Sequence, residues 1–427
     1  VDEVLIIEGG KPLEGEIAVN TAKNSALYLI LAALLTPERV ILRDIPKLRD
    51  VLVILEMLEH FGAEVSWRGR DIHIKAEHMM TCSAPYHLVN KMRASFVAIG
   101  ALLGRCGEAR MSMPGGCAFG PRPVDRHIKA FHALGTEILE EDGDFYFKRN
   151  QPLSGRVVFE SPTVGGTQNV ILASALGEGT VIIENAALEP EIPDLANMLN
   201  QMGANITGAG TSIIEIKGVK QLKGISYRPI PDRIEAGTLI LATAATRGKV
   251  RIKDVEPKYL TAILEKLQEA GVVCVPYGDS LLIDATGPLR PVDVVAKEYP
   301  GFPTDLQAPF GAFLATVDGI SHIEDQVYPD RFTHIEELSR TGASCELNDR
   351  VLRIQGQTLK GNRMHAADIR AGGALMIAAL AAKGTSVISG LMYIDRGYEK
   401  IAERLRSIGA DIHRGEMALV ATGTYGD

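Results

Sequence analysis

Phe61-Gly62-Ala63, Leu134-Gly135-Thr136, Met202-Gly203-Ala204, Ala270-Gly271-Val272, Thr341-Gly342-Ala343 and Ile408-Gly409-Ala410 are six copies of one short pattern centred on a glycine. Successive glycines are 73, 68, 68, 71 and 67 residues apart. A near-constant period that fills a 427-residue chain means one structural unit used six times.

Each copy has the same grammar. It opens with a stretch almost free of charge, at 24–36, 94–104, 164–176, 234–246, 306–316 and 371–382. A helix that is apolar on every side has to be buried. A β-rich run follows, such as Val40-Ile41-Leu42, Val181-Ile182-Ile183 or Val250-Arg251-Ile252. Next comes a stretch with apolar residues on one helical face, as at 51–61 and 257–270. The triplet glycine ends it, at the position where left-handed backbone closes a helix. Two short strands finish the unit around turns such as Arg68-Gly69, Asp142-Gly143 or Asn348-Asp349. The unit is therefore βαβαββ. The expected fold class is α/β, with two inside-out α/β domains, each of three βαβαββ repeats around buried helices. The expected boundaries are 21–229 for the first domain, and 1–20 with 230–427 for the second. Leu5-Ile6-Ile7 would supply the strand that completes the second domain.

Composition narrows the function. Hydrophobic residues make up 46% and charged residues 23%, an ordinary globular balance. A net charge of −8 argues against holding nucleic acid by bulk electrostatics. The longest uncharged runs, such as 25–35, are too short to span a bilayer, so no membrane partner is expected. Val1-Asp2-Glu3-Val4 has no signal-peptide character. The five cysteines, Cys82, Cys106, Cys117, Cys274 and Cys345, are odd in number, dispersed and free of any CxxC pair. They read as reduced thiols in a cytoplasmic protein.

The starts of the buried helices carry unusual residues: Lys23 and Asn24, Arg93, Thr163 with Gly165, Asp232 and Arg233, Asp305, and Asp368 with Arg370. The aspartates could be plain N-caps. A cation at a helix N-terminus opposes the dipole by about 0.3–1 kcal/mol. Lys23, Arg93, Arg233 and Arg370 therefore either pair with neighbouring acids or build an anion site with the exposed N–H groups. Four such residues at repeat-equivalent positions favour a phosphorylated ligand. Between a strand and an amphipathic helix of the second repeat lies Pro114-Gly115-Gly116-Cys117-Ala118-Phe119-Gly120-Pro121-Arg122-Pro123. Its glycines and prolines predict a mobile loop with fixed bends, as in active-site lids. Arg122 is close enough in sequence to lower the Cys117 pKa. The other four cysteines read as inert.

These segments, with Lys91-Met92-Arg93-Ala94-Ser95, Glu189-Pro190-Glu191, Asp232-Arg233-Ile234-Glu235, Phe302-Pro303-Thr304-Asp305 and Asp395-Arg396-Gly397-Tyr398, match one family in order over essentially the whole chain. The sequence resembles the UDP-N-acetylglucosamine 1-carboxyvinyltransferase family. The resemblance implies transfer of the enolpyruvyl group of phosphoenolpyruvate to the 3′-hydroxyl of UDP-N-acetylglucosamine, with release of phosphate. This is the first committed step of peptidoglycan precursor synthesis, and it needs no metal or organic cofactor.

By the same resemblance Cys117 is the general acid that protonates the enol and the thiol that can carry a phospholactoyl adduct. Asp305 accepts the hydroxyl proton or orients the hydroxyl. Lys23, Arg122 and Arg396 clamp phosphate and carboxylate, and Arg370 adds charge beside them. Arg93 and the run Arg122, Pro123, Val124, Asp125 hold the nucleotide sugar, as do Asn24 and Val327. Thr163, Val164 and Gly165 meet its diphosphate. Without the resemblance, Val327 reads as an ordinary strand residue. The chain departs from the family at Ser161, where a Lys is frequent, and at Arg126, where some members have Leu. Both bear on nucleotide-sugar affinity, not on the reaction. The expected state is a monomer or weak homo-oligomer, and the family implies a target for fosfomycin. The closest rival, 3-phosphoshikimate 1-carboxyvinyltransferase, lacks the Cys117 loop. A non-catalytic sensor of the nucleotide sugar would be marked by loss of Cys117 or Asp305. RNA 3′-terminal phosphate cyclase shares related repeats, but its nucleophilic histidine motif is missing.

Overall fold

The computed structural model describes residues 3–112 and 124–417. The chain divides into two compact units. Thr21–Ile230 forms one, and the segment ending at Asn20 joins the segment from Pro231 onward in the other.

Among the described residues the strands form six four-stranded sheets of one topology. In each, one parallel pair is followed by two antiparallel pairs. Gly155–Val158 runs parallel to Thr180–Glu184, which lies antiparallel to Ile213–Lys217, which lies antiparallel to Asn205–Thr207. Three sheets borrow a strand across the sequence. Ser226–Tyr227 completes the sheet of Arg39–Leu42, and Glu14–Ala18 completes that of Lys249–Lys253. The opening strand Glu3–Gly9 lies between Gly384–Ser389 and Asp411–Glu416.

Each unit encloses three buried helices: α1 (Lys23–Ala32), α2 (Ala98–Cys106) and α3 (Val164–Ser174) in one, α4 (Arg233–Ala245), α5 (Gln307–Leu314) and α6 (Ile369–Ala381) in the other. Their sequences are apolar all round because they have no solvent face. Every residue of α5 is buried. The central helices approach closely where side chains are small. A Cβ at Gly100 of α2 would collide with the backbone oxygen of Asn169 of α3. The six repeat glycines all adopt positive φ, from +80° at Gly135 to +107° at Gly203, and close the outer helices in left-handed backbone.

Helix ends buried away from water need partners for their last carbonyls. Three arginines supply them. Arg149 donates from Nε to the carbonyl of Leu103 at 2.8 Å. Arg105 donates from Nη1 to the carbonyl of Leu34 at 3.5 Å and from Nη2 to that of Ala76, just after the strand Asp71–Lys75, at 2.9 Å. Arg247 reaches the carbonyls of Ala244 and Ala245 and that of Thr316. Cations there also complement the negative end of the helix dipole.

The cysteine reading needs one correction. Cys82 and Cys106 form a disulfide, with Cα atoms 6.8 Å apart. The cause is strand pairing. Ser83–Ala84 runs parallel to Glu108–Ser112, so the residues just before both strands become neighbours. A separation of 24 residues in sequence carries no trace of that pairing. Cys274 and Cys345 are free, and burial pushes their thiols up to about 12 and about 11, so both are unreactive.

Where the chain enters the second unit, buried Glu235 of α4 is held by three donors. Asn20 donates from its backbone N–H and its side-chain amide, both at 3.2 Å, and Arg404 donates from Nη2 at 2.5 Å. Burial still raises the Glu235 pKa, against the pull of Arg404. Arg404→Ala leaves a carboxylate only 3% exposed without its cation. The expected loss is about 3–5 kcal/mol of unfolding free energy, read as a lower urea midpoint.

Candidate active site

In the second unit the starts of α4, α5 and α6 carry the charged residues singled out in the sequence. Asp232 caps α4, accepting from the N–H groups of Ile234 and Glu235, both at 2.9 Å. Asp368 caps α6, accepting from Arg370 at 2.8 Å and Ala371 at 3.0 Å. Asp305 does not cap. It lies inside the 3-10 turn Thr304–Leu306 ahead of α5, and Pro303, which precedes that turn, makes no side-chain capping bond. Its carboxylate instead receives Arg331 Nη1 at 3.0 Å and Arg370 Nε at 3.2 Å, both on Oδ1.

Burial opposes ionisation of Asp305, but Arg370, Arg331 and Arg233 together outweigh it and hold the carboxyl well below the usual carboxylate range. Arg370 is buried and also bonds the hydroxyl of Tyr398, which in turn lies 3.0 Å from Thr238 Oγ1. Arg233 sits over the ring of Tyr299, 5.5 Å from its centroid. A cavity of about 300 Å³ opens there, lined by Arg233, Tyr259, Tyr299, Pro303 and Leu306 among others. The unit thus presents a fixed carboxylate surrounded by guanidinium groups, two of them at helix N-termini, an arrangement suited to a phosphorylated ligand with a hydroxyl to be oriented.

Val327 lies two residues beyond the end of the strand Gly319–Asp325, in a bend, so the plain strand reading is corrected. Arg396 follows the short helix Leu391–Ile394 and is half-buried. Its neighbour Asp395 pairs with Arg414.

In the first unit, Lys23 opens α1 and forms a buried ion pair with Asp50 at 3.0 Å, the side chains 8% and 6% exposed. Lys23 thus has an acidic partner in Asp50, as Arg370 has in Asp305. Asn24, next on α1, is half-buried. Arg93 opens the 3-10 turn Arg93–Val97 that leads into α2. Thr163 caps α3, its hydroxyl accepting from the N–H of Gly166 at 3.2 Å. Thr163, Val164 and Gly165 are half-buried, whereas α3 is buried from Gly166 onward, so its start is the least buried part of the helix. Val124 is buried, and Asp125 is exposed at the start of the helix Asp125–Ala133. His127 of that helix accepts at Nδ1 from the Asn169 amide in the middle of α3 at 2.9 Å, which ties the two helices together. Cys117, Arg122 and Pro123 lie outside the described residues.

Sequence reasoning missed Arg331, Asp50, Asn169 and His127. Each acts through a partner far away in sequence.

His334 shows how dry the α5–α6 side is. It is 2% exposed, and its Nε2 has no hydrogen-bond partner among the described residues. Burial lowers its pKa to about 4, with Arg331 adding to the effect and Asp368 opposing it. An unfolded histidine titrates near 6.5. Between those values the unfolded chain takes up a proton that the folded one refuses, so stability falls as pH drops through that window. The linkage amounts to on the order of 3 kcal/mol. His334→Leu is expected to lose less stability than the parent between pH 7 and pH 4.5, as measured by urea unfolding at both.

Among the described residues no helix is long and apolar enough to cross a membrane, and no group of three His, Cys, Asp or Glu is placed to hold a metal ion. Residues 7–405 match the family model described as EPSP synthase (3-phosphoshikimate 1-carboxyvinyltransferase). The chain is 53% identical over 423 residues to the UDP-N-acetylglucosamine 1-carboxyvinyltransferase of Thermus thermophilus, covering 99% of each chain. It is 50% identical over 417 residues to that of Deinococcus deserti, covering 97% of this chain and 98% of the other. Among solved structures, the enolpyruvyl transferase NikO from Streptomyces tendae superposes with a TM-score of 0.86 at 25% identity, over 97% of this chain and 99% of that one. The chain belongs to the family of UDP-N-acetylglucosamine 1-carboxyvinyltransferases, within the wider group of enolpyruvyl transferases.

Proposed function

We propose that the chain transfers the enolpyruvyl group of phosphoenolpyruvate to the 3′-hydroxyl of UDP-N-acetylglucosamine with release of phosphate, Cys117 acting as the acid and Asp305 as the group that receives the acceptor. In the reaction a proton from Cys117 goes to C3 of the enol. C2 becomes oxocarbenium-like, and the sugar hydroxyl attacks it and gives up its proton. The tetrahedral intermediate then loses phosphate from C2 and a proton from C3, which forms the enol ether and returns a proton to the Cys117 thiolate.

The observation that carries the reading is the Asp305 carboxylate held ionised by Arg331 and Arg370 at 3.0 and 3.2 Å. An ionised carboxylate accepts hydrogen bonds only, so it orients a hydroxyl with its proton inward and its lone pairs toward the electrophile. Lys23, Arg122 and Arg396 bind phosphate and carboxylate, with Arg370 supplying further charge. Thr163, Val164 and Gly165 offer the N-terminus of α3 to the diphosphate. Asn24, Arg93, Pro123, Val124, Asp125 and Val327 hold the rest of the nucleotide sugar. The enzyme works in the cytoplasm as a monomer or weak homo-oligomer.

The test is intact-protein mass before and after fosfomycin, with and without UDP-N-acetylglucosamine, followed by peptide mapping. One addition on Cys117, faster with the nucleotide sugar, is the expected result. No addition on Cys117 in either condition removes its role as the reactive thiol.

A further inference from the structure

Asp325 ends the strand Gly319–Asp325 and is 1% exposed, yet every bond its carboxylate makes leads toward the reacting groups. Oδ1 accepts from the N–H of Val327 at 3.0 Å and from that of Tyr328 at 2.8 Å. Oδ2 accepts from the Thr304 hydroxyl at 2.6 Å. Thr304 Oγ1 in turn accepts from Arg331 Nη1 at 3.2 Å, and the same nitrogen lies 3.0 Å from Asp305 Oδ1. Arg331 is also stacked over the Tyr328 ring, 5.4 Å from its centroid, and its carbonyl accepts from Gln307 Nε2 of α5 at 3.0 Å.

We infer that Asp325 is a positioning residue that couples acceptor binding to the orientation of Asp305. One arm of its carboxylate fixes the bend that presents Val327. The other fixes Thr304, which sets Arg331 and, through it, the Asp305 carboxylate. The inference rests on the roles proposed above for Asp305 and Val327. The polarity of the chain is what makes it work. Thr304 has one hydroxyl proton, and the buried carboxylate takes it. The Thr304 lone pairs are thereby aimed at Arg331, which can only donate. A guanidinium held from two sides cannot rotate away from Asp305, so the carboxylate keeps one geometry before the substrate arrives. A tilt of about 1 Å in such a group costs roughly 10²-fold in rate.

The experiment compares T304V, T304S, D325N and D305N for kcat, for KM of both substrates, and for the urea midpoint. T304V keeps the shape of the side chain and the Asp325 bonds to Val327 and Tyr328, but cuts the link to Arg331. Its kcat is expected to fall 10- to 100-fold, with KM for UDP-N-acetylglucosamine within about threefold of the parent. T304S restores the hydroxyl and recovers most of that loss. D325N disturbs both arms, so it lowers kcat and also raises KM for the nucleotide sugar. A T304V protein with parental kcat beside an inactive D305N protein overturns the coupling and leaves the Asp305 assignment standing. A T304S protein as slow as T304V also overturns it, because the hydroxyl would then not be what matters. Parental kcat in D305N removes both the assigned role of Asp305 and the coupling built on it.

Discussion

Asp305→Asn is expected to lower kcat by roughly 10²–10⁴-fold while leaving KM for phosphoenolpyruvate within a few-fold. The amide is nearly isosteric, so the effect isolates charge and basicity. An Asn can present its N–H₂ as readily as its oxygen to the sugar hydroxyl, and it cannot take up a proton. It also leaves Arg331 and Arg370, with side chains only 15% and 9% exposed, facing a neutral group. The urea midpoint should therefore fall together with kcat. The two readouts separate at Asp305→Glu, which restores the charge but advances the carboxylate by a methylene. That variant should regain stability without regaining kcat. A D305N protein with parental kcat would show that the acceptor hydroxyl is oriented elsewhere.

Arg370→Met is the second large effect. Arg370 is the largest single influence favouring ionisation of Asp305, and the carboxylate raises the guanidinium pKa in return. Removing one member of a buried pair costs about 3–5 kcal/mol of stability. The remaining effect falls on substrate. Charge-assisted hydrogen bonds contribute about 1.5–3 kcal/mol each, so KM for phosphoenolpyruvate should rise by roughly 10- to 100-fold. Arg370→Lys should recover little of it. An ammonium cannot serve Asp305, Tyr398 and a phosphate oxygen from one plane, as a guanidinium fork does. Steady-state kinetics at saturating nucleotide sugar, with unfolding curves of the same preparations, checks both halves. Unchanged KM with lowered stability would reduce Arg370 to a structural partner of Asp305.

The fold was legible because its signals are local and repeated. A glycine forced into positive φ at Gly62, Gly135, Gly203, Gly271, Gly342 and Gly409 marks the end of each outer helix, and six runs almost free of charge mark the buried ones. Helix ends shifted by a few residues where a first turn tightened to 3-10, as at Thr304–Leu306 and Arg93–Val97. The candidate site was legible in part. Asp305 and Arg370 stood out as charges at the starts of apolar helices, and the structure places them in contact. Their supports did not stand out. Arg331 sits in a connecting segment and Asp325 at the end of a strand, both of ordinary composition, and Thr304 stood out only as part of the Phe302-Pro303-Thr304-Asp305 segment; what joins them is a chain of hydrogen bonds that closes only in three dimensions. Asp50 and Asn169 were hidden for the same reason. The Cys82–Cys106 disulfide was misread because a parallel strand pair, not sequence spacing, makes those residues neighbours.

The most direct measurement is phosphate release from phosphoenolpyruvate by the purified chain, with UDP-N-acetylglucosamine, with shikimate 3-phosphate, and with no acceptor. One phosphate released for each UDP-N-acetylglucosamine consumed, and none in the other two mixtures, is the predicted result. Phosphate released with shikimate 3-phosphate, or none with UDP-N-acetylglucosamine, would contradict it.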